Sequence, residues 1–324
     1  MALIRYQENS TQVSEERGNM KNPNEKMLLY IAMADAYAKA CEYVKHDDGR
    51  FVAEKCLKFE GYQKHPNFAE PAGFYTDDAE MSVANAKVLI AHYFPFSPLQ
   101  FADAYVGEFL RGKKRKGYSH VFYDMLGTFE NGADFLRKIK PFSVQNGAAM
   151  RAVPFGVLRH RDQVLAAATL QATLTHNTSD GIFSARLVAL MSHYTLYSNQ
   201  PLHDIDSYCC SNIPKEDRYR YAHVFKEPWY GPVQETERTL AVNTAHAALW
   251  ILKEAVSLRG IMERILAAGG DTDTIAAICW GIASARMMNE PLPDFFIRDL
   301  EGGRPETGAQ YLLAIGNELI RLYF

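Results

Sequence analysis

Helical periodicity runs through almost the whole chain, and the alternating β-branched runs that mark strands are nearly absent. Apolar residues return every three or four positions over residues 99–110, 120–126, 163–174, 183–194, 239–256, 259–268, 271–288 and 310–322. A first helix reads from about 24 to 44, and another starts at Asp77-Asp78 with Met81, Ala84, Val88 and Ile90. This pattern predicts an all-α protein: a single compact orthogonal helical domain of about a dozen helices over residues 25–324. Residues 1–24 are polar and read as an arm outside the core. Residues 45–75, with Gly49, Gly61, Pro66, Pro71 and Gly73, read as a long loop, a length usually kept for function.

With 324 residues, 48% hydrophobic and 23% charged, the chain can bury a large core as an ordinary soluble protein. A net charge of -3 argues against nucleic-acid or anionic-membrane partners. The one basic run, Arg111 to Lys116, reads as a solvated loop. No apolar run approaches the ~20 residues of a membrane span, and no signal-peptide core is evident. The five cysteines (Cys41, Cys56, Cys209, Cys210 and Cys279) have no disulfide or metal spacing, which fits reduced thiols and a cytoplasmic location.

The chemistry concentrates at two helix starts. Gly269-Gly270-Asp271-Thr272-Asp273-Thr274 places two flexible glycines before alternating carboxylates and hydroxyls, with an apolar helix beginning at once. Tyr75-Thr76-Asp77-Asp78 has the same grammar about 190 residues earlier in the chain. Either alone could be a capped helix. If the two meet, four carboxylates and their threonine hydroxyls converge, a donor set for Mg²⁺ or Mn²⁺ and unsuited to zinc. Four negative charges would suit two such ions. Asn146-Gly147-Ala148-Ala149-Met150-Arg151 combines small residues with a turn, so a phosphate could approach the backbone closely. Thr175-His176 ends an apolar helical pattern and offers a hydrogen-bond donor to a ligand.

In order, these blocks resemble the ADP-ribosylglycohydrolase family of metal-dependent enzymes. Ala34-Asp35-Ala36 through Glu42-Tyr43, the Thr76-Asp77-Asp78 block, Gly117-Tyr118, Asn146 to Arg151, Thr175-His176 and the Gly-Gly-Asp-Thr-Asp-Thr block carry the likeness, from about residue 25 to 290. The resemblance implies a dinuclear metal centre in a surface cleft. Thr76, Asp77, Asp78, Asp271, Asp273 and Thr274 would hold two Mg²⁺ or Mn²⁺, and Glu42 or Asp78 would move the proton. It also implies that Asn146, Gly147, Ala148, Ala149, Met150 and Arg151 cradle a diphosphate, with His176, Tyr118 and Tyr230 on the ADP-ribose. Ala34, Ala38, Ala79 and Ser284 depart from the family pattern without removing an expected ligand. The implied activity is removal of ADP-ribose from modified protein side chains, arginine first, with serine or other conjugates as alternatives. A further alternative is an immunity protein that blocks and reverses an ADP-ribosyltransferase toxin through the N-terminal arm.

Overall fold

A computed structural model describes residues 20–44 and 52–324. Among them every regular element is helical, and β pairing is limited to two isolated bridges, Phe142 with His176 and Val233 with Gly270. The longer helices are α1 (Met27–Ala38), α2 (Asp77–Ala91), α3 (Pro98–Arg111), α4 (Arg161–Thr173), α5 (Ser179–Tyr197), α6 (Leu240–Lys253), α7 (Leu258–Ala268), α8 (Thr272–Met287) and α9 (Ala309–Tyr323). The all-α expectation holds. Short helices such as Gly132–Lys138, Lys215–Arg220 and Ala222–Lys226 add to the dozen expected. They are too brief to show a period in sequence.

Two helices form the centre. α1 is buried along its whole length and α8 from Thr272 to Ala285. A helix apolar on all sides has nowhere to go but the interior. The pair runs antiparallel. At one end Thr272 Oγ1 donates to the Ala38 carbonyl at 2.8 Å; at the other Asn24 Nδ2 donates to Ser284 Oγ at 2.8 Å and the Tyr30 hydroxyl to the Met288 carbonyl. Ser284, a departure from the family pattern, thus anchors the segment before α1. Gly281 lets the helices close, since a Cβ there would lie 2.5 Å from Ile31 Cγ1. Each buried Leu, Ile or Met side chain in this contact contributes about 1.5–3 kcal/mol.

The remaining helices wrap this pair. α2 packs on α1, α3 and α9, while α5 packs on α4, α6 and α8, and α7 covers α8. Their starts are written in sequence. Ser97 and Gln100 close a capping box on α3, Thr178 accepts from Gly181 N–H, and Ser257 accepts from Gly260 N–H.

The first helix stops earlier than its periodicity suggests. After Ala38 a tight turn (Lys39–Cys41) leads to Glu42, whose extended backbone leaves the helix, and Tyr43 adopts a left-handed φ of 46°. Tyr43 N–H is instead satisfied by the Gly270 carbonyl at 2.9 Å. The chain is already packed from Met20. Met20 is buried, and the N–H groups of Lys21 and Asn22 both donate to the Leu196 carbonyl. Of the expected arm, residues 1–19 lie outside the described residues, as do 45–51 of the expected loop. The rest of that loop is not free. Residues 52–56 are helical, and Phe59 and Tyr62 pack with Tyr37, Phe295 and Phe296. Four of the five free cysteines are buried. No helix among the described residues is long and apolar enough to cross a membrane.

Candidate active site

The two acidic helix starts meet. Thr76 caps α2 and Asp271 precedes α8, so Asp77, Asp78, Asp271 and Asp273 all stand at adjoining N-termini. Together with Glu42 they line one cavity of about 510 Å³. Oxygens of Asp35, Asp78 and Asp273 come within 4.8 Å of one another, as do those of Glu42, Asp271 and Asp273. Asp273 belongs to both groups.

Asp35 stands in the first family-like block but was given no role at the metal centre from sequence. It is the one charged side chain of α1 and is fully buried. Its carboxylate accepts from Thr76 N–H at 2.9 and 3.0 Å and from Ala79 N–H at 3.1 Å, so it satisfies the free end of α2 from a neighbouring helix. The signal was available: an Asp in the run Met-Leu-Leu-Tyr-Ile-Ala-Met-Ala-Asp-Ala-Tyr-Ala must be partnered to be buried.

Crowding and burial raise these acids. Burial first, then neighbouring carboxylates, pushes Glu42 and Asp77 up to about 8. Asp35, raised by burial and partly relieved by its two backbone donors, reaches about 6. Asp78 and Asp273 are held well above the carboxylate range for the same reasons. A divalent cation would remove this penalty. The donor set fits one: all-oxygen ligands, surplus negative charge, and Asp78 Oδ1 buried without a hydrogen-bond partner. Thr274 joins the carboxylates on the cavity wall, whereas Thr76 lies beneath it, its hydroxyl donating to Asp78 Oδ2 at 3.0 Å.

The opposite wall is of another kind. Asn146, Gly147, Met150, Arg151, Thr175 and His176 line it. Arg151 is completely buried, yet its partners among the described residues are neutral: Gln171 Oε1 at 2.6 Å, the Gln171 carbonyl, Thr175 Oγ1 at 2.7 Å and the Tyr105 ring. His176 is held neutral, down to about 3, by burial and by the Arg151 charge. Its ring lies so close to Gly147 that a Cβ there would sit 2.9 Å from Cε1. Asn146 joins the two walls, its Nδ2 donating to Asp271 Oδ2 at 2.6 Å and to Thr244 Oγ1.

Four of the residues expected on ADP-ribose lie elsewhere. Ala148 and Ala149 are buried in the core behind the loop. Tyr118 is buried, with its hydroxyl donating to Glu80 at 2.6 Å. Tyr230 is 81% exposed and, with Trp229, lines a separate small hollow that touches Asp271 from behind.

The turn into α8 carries the tightest backbone. Gly269 and Gly270 both have left-handed φ (74° and 83°). A Cβ on Gly270 would fall 2.2 Å from the Val233 carbonyl, which accepts Asp271 N–H at 2.7 Å. Gly270→Ala is therefore expected to cost on the order of 1–3 kcal/mol of stability and to displace Asp271. Thermal unfolding together with Mg²⁺ titration checks it; wild-type values for both would show that this turn does not set the site.

Comparison with known proteins bears on the fold and the lineage. The ADP-ribosylglycohydrolase family model matches residues 25–323. An uncharacterized protein of Archaeoglobus fulgidus is 26% identical over 227 residues, covering 66% of this chain and 72% of that protein. A solved structure described as an ADP-ribosylglycohydrolase-related protein complex superposes with a TM-score of 0.70 at 20% identity, covering 94% of this chain and 98% of that one. At that identity the superposition establishes the helical fold, and the match over residues 25–323 establishes the lineage: the chain belongs to the ADP-ribosylglycohydrolase family.

Proposed function

We propose that the protein is a divalent-metal-dependent ADP-ribosylhydrolase acting on ADP-ribose attached to protein side chains, with arginine the first linkage to test. One observation carries the reading. A single cavity is lined both by a cluster of carboxylates and by buried Arg151, which has no carboxylate partner among the described residues. A ligand with a vicinal diol at one end and a diphosphate at the other satisfies both.

Asp35, Asp77, Asp78, Asp271, Asp273 and Thr274 are the residues that would hold Mg²⁺ or Mn²⁺, two ions being the count the carboxylate number favours. Bound there, the metal supplies Lewis acidity toward the ribose hydroxyls. The chain does the rest. Arg151 and the Asn146–Met150 loop hold the diphosphate and fix C1″ of the ribose near Glu42. Neutral His176 offers a hydrogen bond without adding charge. Glu42 lines the cavity beside these carboxylates, and in its protonated form it can donate to the leaving nitrogen as the glycosidic bond opens. Water then adds its hydroxyl to C1″ and returns its proton to Glu42. Asp78, deeper and boxed in by Thr76 and Thr274, is better suited to holding the metal than to moving a proton.

Incubation with ADP-ribosylated arginine and ADP-ribosylated serine peptides, each with Mg²⁺ and with EDTA, tests the reading. The expected result is release of ADP-ribose from the arginine peptide, abolished by EDTA. Chelator-insensitive release would refute metal dependence, release from serine alone would refute the linkage, and no release from either would refute the hydrolase.

A further inference from the structure

The turn that ends α3 and the extended segment before α2 enclose a second hollow of about 580 Å³. Seven basic and three acidic side chains line it, so its sign is opposite to that of the acidic cavity. Much of this charge is spoken for. Lys87, Arg111 and Arg115 are taken up by Glu108, Glu80 and Glu301, a network that closes on itself. Five cations (Lys39, Lys113, Lys114, Lys116 and Arg304) are left against Glu70 and Glu306.

Lys39 is the decisive one. It is only 8% exposed, lines the hollow and makes no close ion pair or hydrogen bond from its ammonium among the described residues, although its charge lies near enough to Asp35 and Glu42 to favour their ionised forms. A desolvated ammonium without a hydrogen bond is costly. Lys113 and Lys114 both occupy left-handed backbone (φ 56° and 59°), a conformation that persists only where the surroundings impose it. Arg304 stacks on Phe74 with no carboxylate beside it, whereas Lys116 places its ammonium over the Tyr123 ring.

We propose that this hollow is a binding site for a small phosphate-bearing anion, held by Lys39 from within and by Lys113 and Arg304 at the rim. Lys39 lies too deep for a nucleic-acid backbone to reach, and the chain's net charge of -3 gives a polyanion no broad basic surface. The site is separate from the Arg151 wall and does not depend on the hydrolase reading.

Calorimetric titration of inorganic pyrophosphate into the full chain freed of metal with EDTA and then of the chelator tests it, with His176→Ala reporting any binding in the acidic cavity. Wild type is expected to bind one pyrophosphate. Lys39→Met and Lys113→Glu should each weaken binding at least about tenfold, a change of roughly 1.4 kcal/mol. Lys116→Glu, an equal charge change with the ammonium turned away, should weaken it far less. Lys39→Met also removes a charge that offsets Asp35 and Glu42, so its thermal unfolding is measured alongside; Lys113→Glu, on the surface, carries the test if Lys39→Met unfolds earlier than wild type. Equal weakening by Lys113→Glu and Lys116→Glu would reduce the effect to diffuse charge and overturn the proposal. So would unchanged binding in both Lys39→Met and Lys113→Glu, or binding lost only in His176→Ala.

Discussion

Asp273→Asn is expected to lower kcat/KM for ADP-ribose release about a thousandfold or more, roughly 4 kcal/mol of transition-state stabilisation. No other side chain belongs to both carboxylate groups, so its loss weakens the whole centre. The substitution is nearly isosteric and keeps an oxygen for the Thr274 N–H, which Asp273 Oδ1 now accepts at 2.9 Å. The fold should survive. Indeed the metal-free variant should unfold no earlier than metal-free wild type, because a buried charge among like charges has been removed. Steady-state kinetics at saturating Mg²⁺, with thermal unfolding in EDTA, measure the two halves. A variant retaining more than a tenth of wild-type activity would remove Asp273 from the centre.

The second large effect is the coupling of pH to the metal. Unfolded carboxyls titrate near 4, whereas Glu42 and Asp77 in the folded, metal-free protein titrate at about 8 and Asp35 at about 6. Between those values the folded state holds protons that the unfolded state has released. Stability without metal must therefore fall as pH rises from about 4 toward 8. Metal binding requires deprotonated ligands and opposes the same repulsion, so the stabilisation by saturating Mg²⁺ should be larger at pH 8 than at pH 5.5. Thermal unfolding at both pH values, with Mg²⁺ and with EDTA, reads this directly. At about 2 °C per kcal/mol for a chain of this size, the difference should be several degrees. An equal Mg²⁺ shift at both pH values would mean that Asp35 and Asp77 are not among the ligands.

The helices were legible because their apolar periods are long and their caps conventional: Ser97, Thr178 and Ser257 each stand where a helix begins. Asp77, Asp78, Asp271 and Asp273 were legible as a pair of acidic helix starts, and the structure brings those starts to one cavity. Asp35, though part of a family-like block, was assigned no ligand role because it lies within a helix and not at a helix start. Its role follows from a tertiary contact, the unfilled N–H groups of α2 pressing against α1, which no local pattern contains. Tyr118 and Tyr230 show the converse. An aromatic near a motif looks like a ligand stack, but the Tyr118 hydroxyl is spent on Glu80 and Tyr230 turns to solvent. The early end of the first helix was equally hidden, since it depends on the Gly270 carbonyl, more than two hundred residues away, capturing Tyr43 N–H.

The antiparallel pair at the molecule's heart has a consequence for biosynthesis. Asp35 emerges from the ribosome early, whereas Asp271 and Asp273 come late, and the segment that brings them together is itself the interior of the body. A nascent chain halted before α8 could already pair Asp35 with the start of α2 but would leave the α8 side of α1 uncovered. Competence to bind metal should therefore arrive in one step near the end of synthesis, and no amino-terminal fragment should show it.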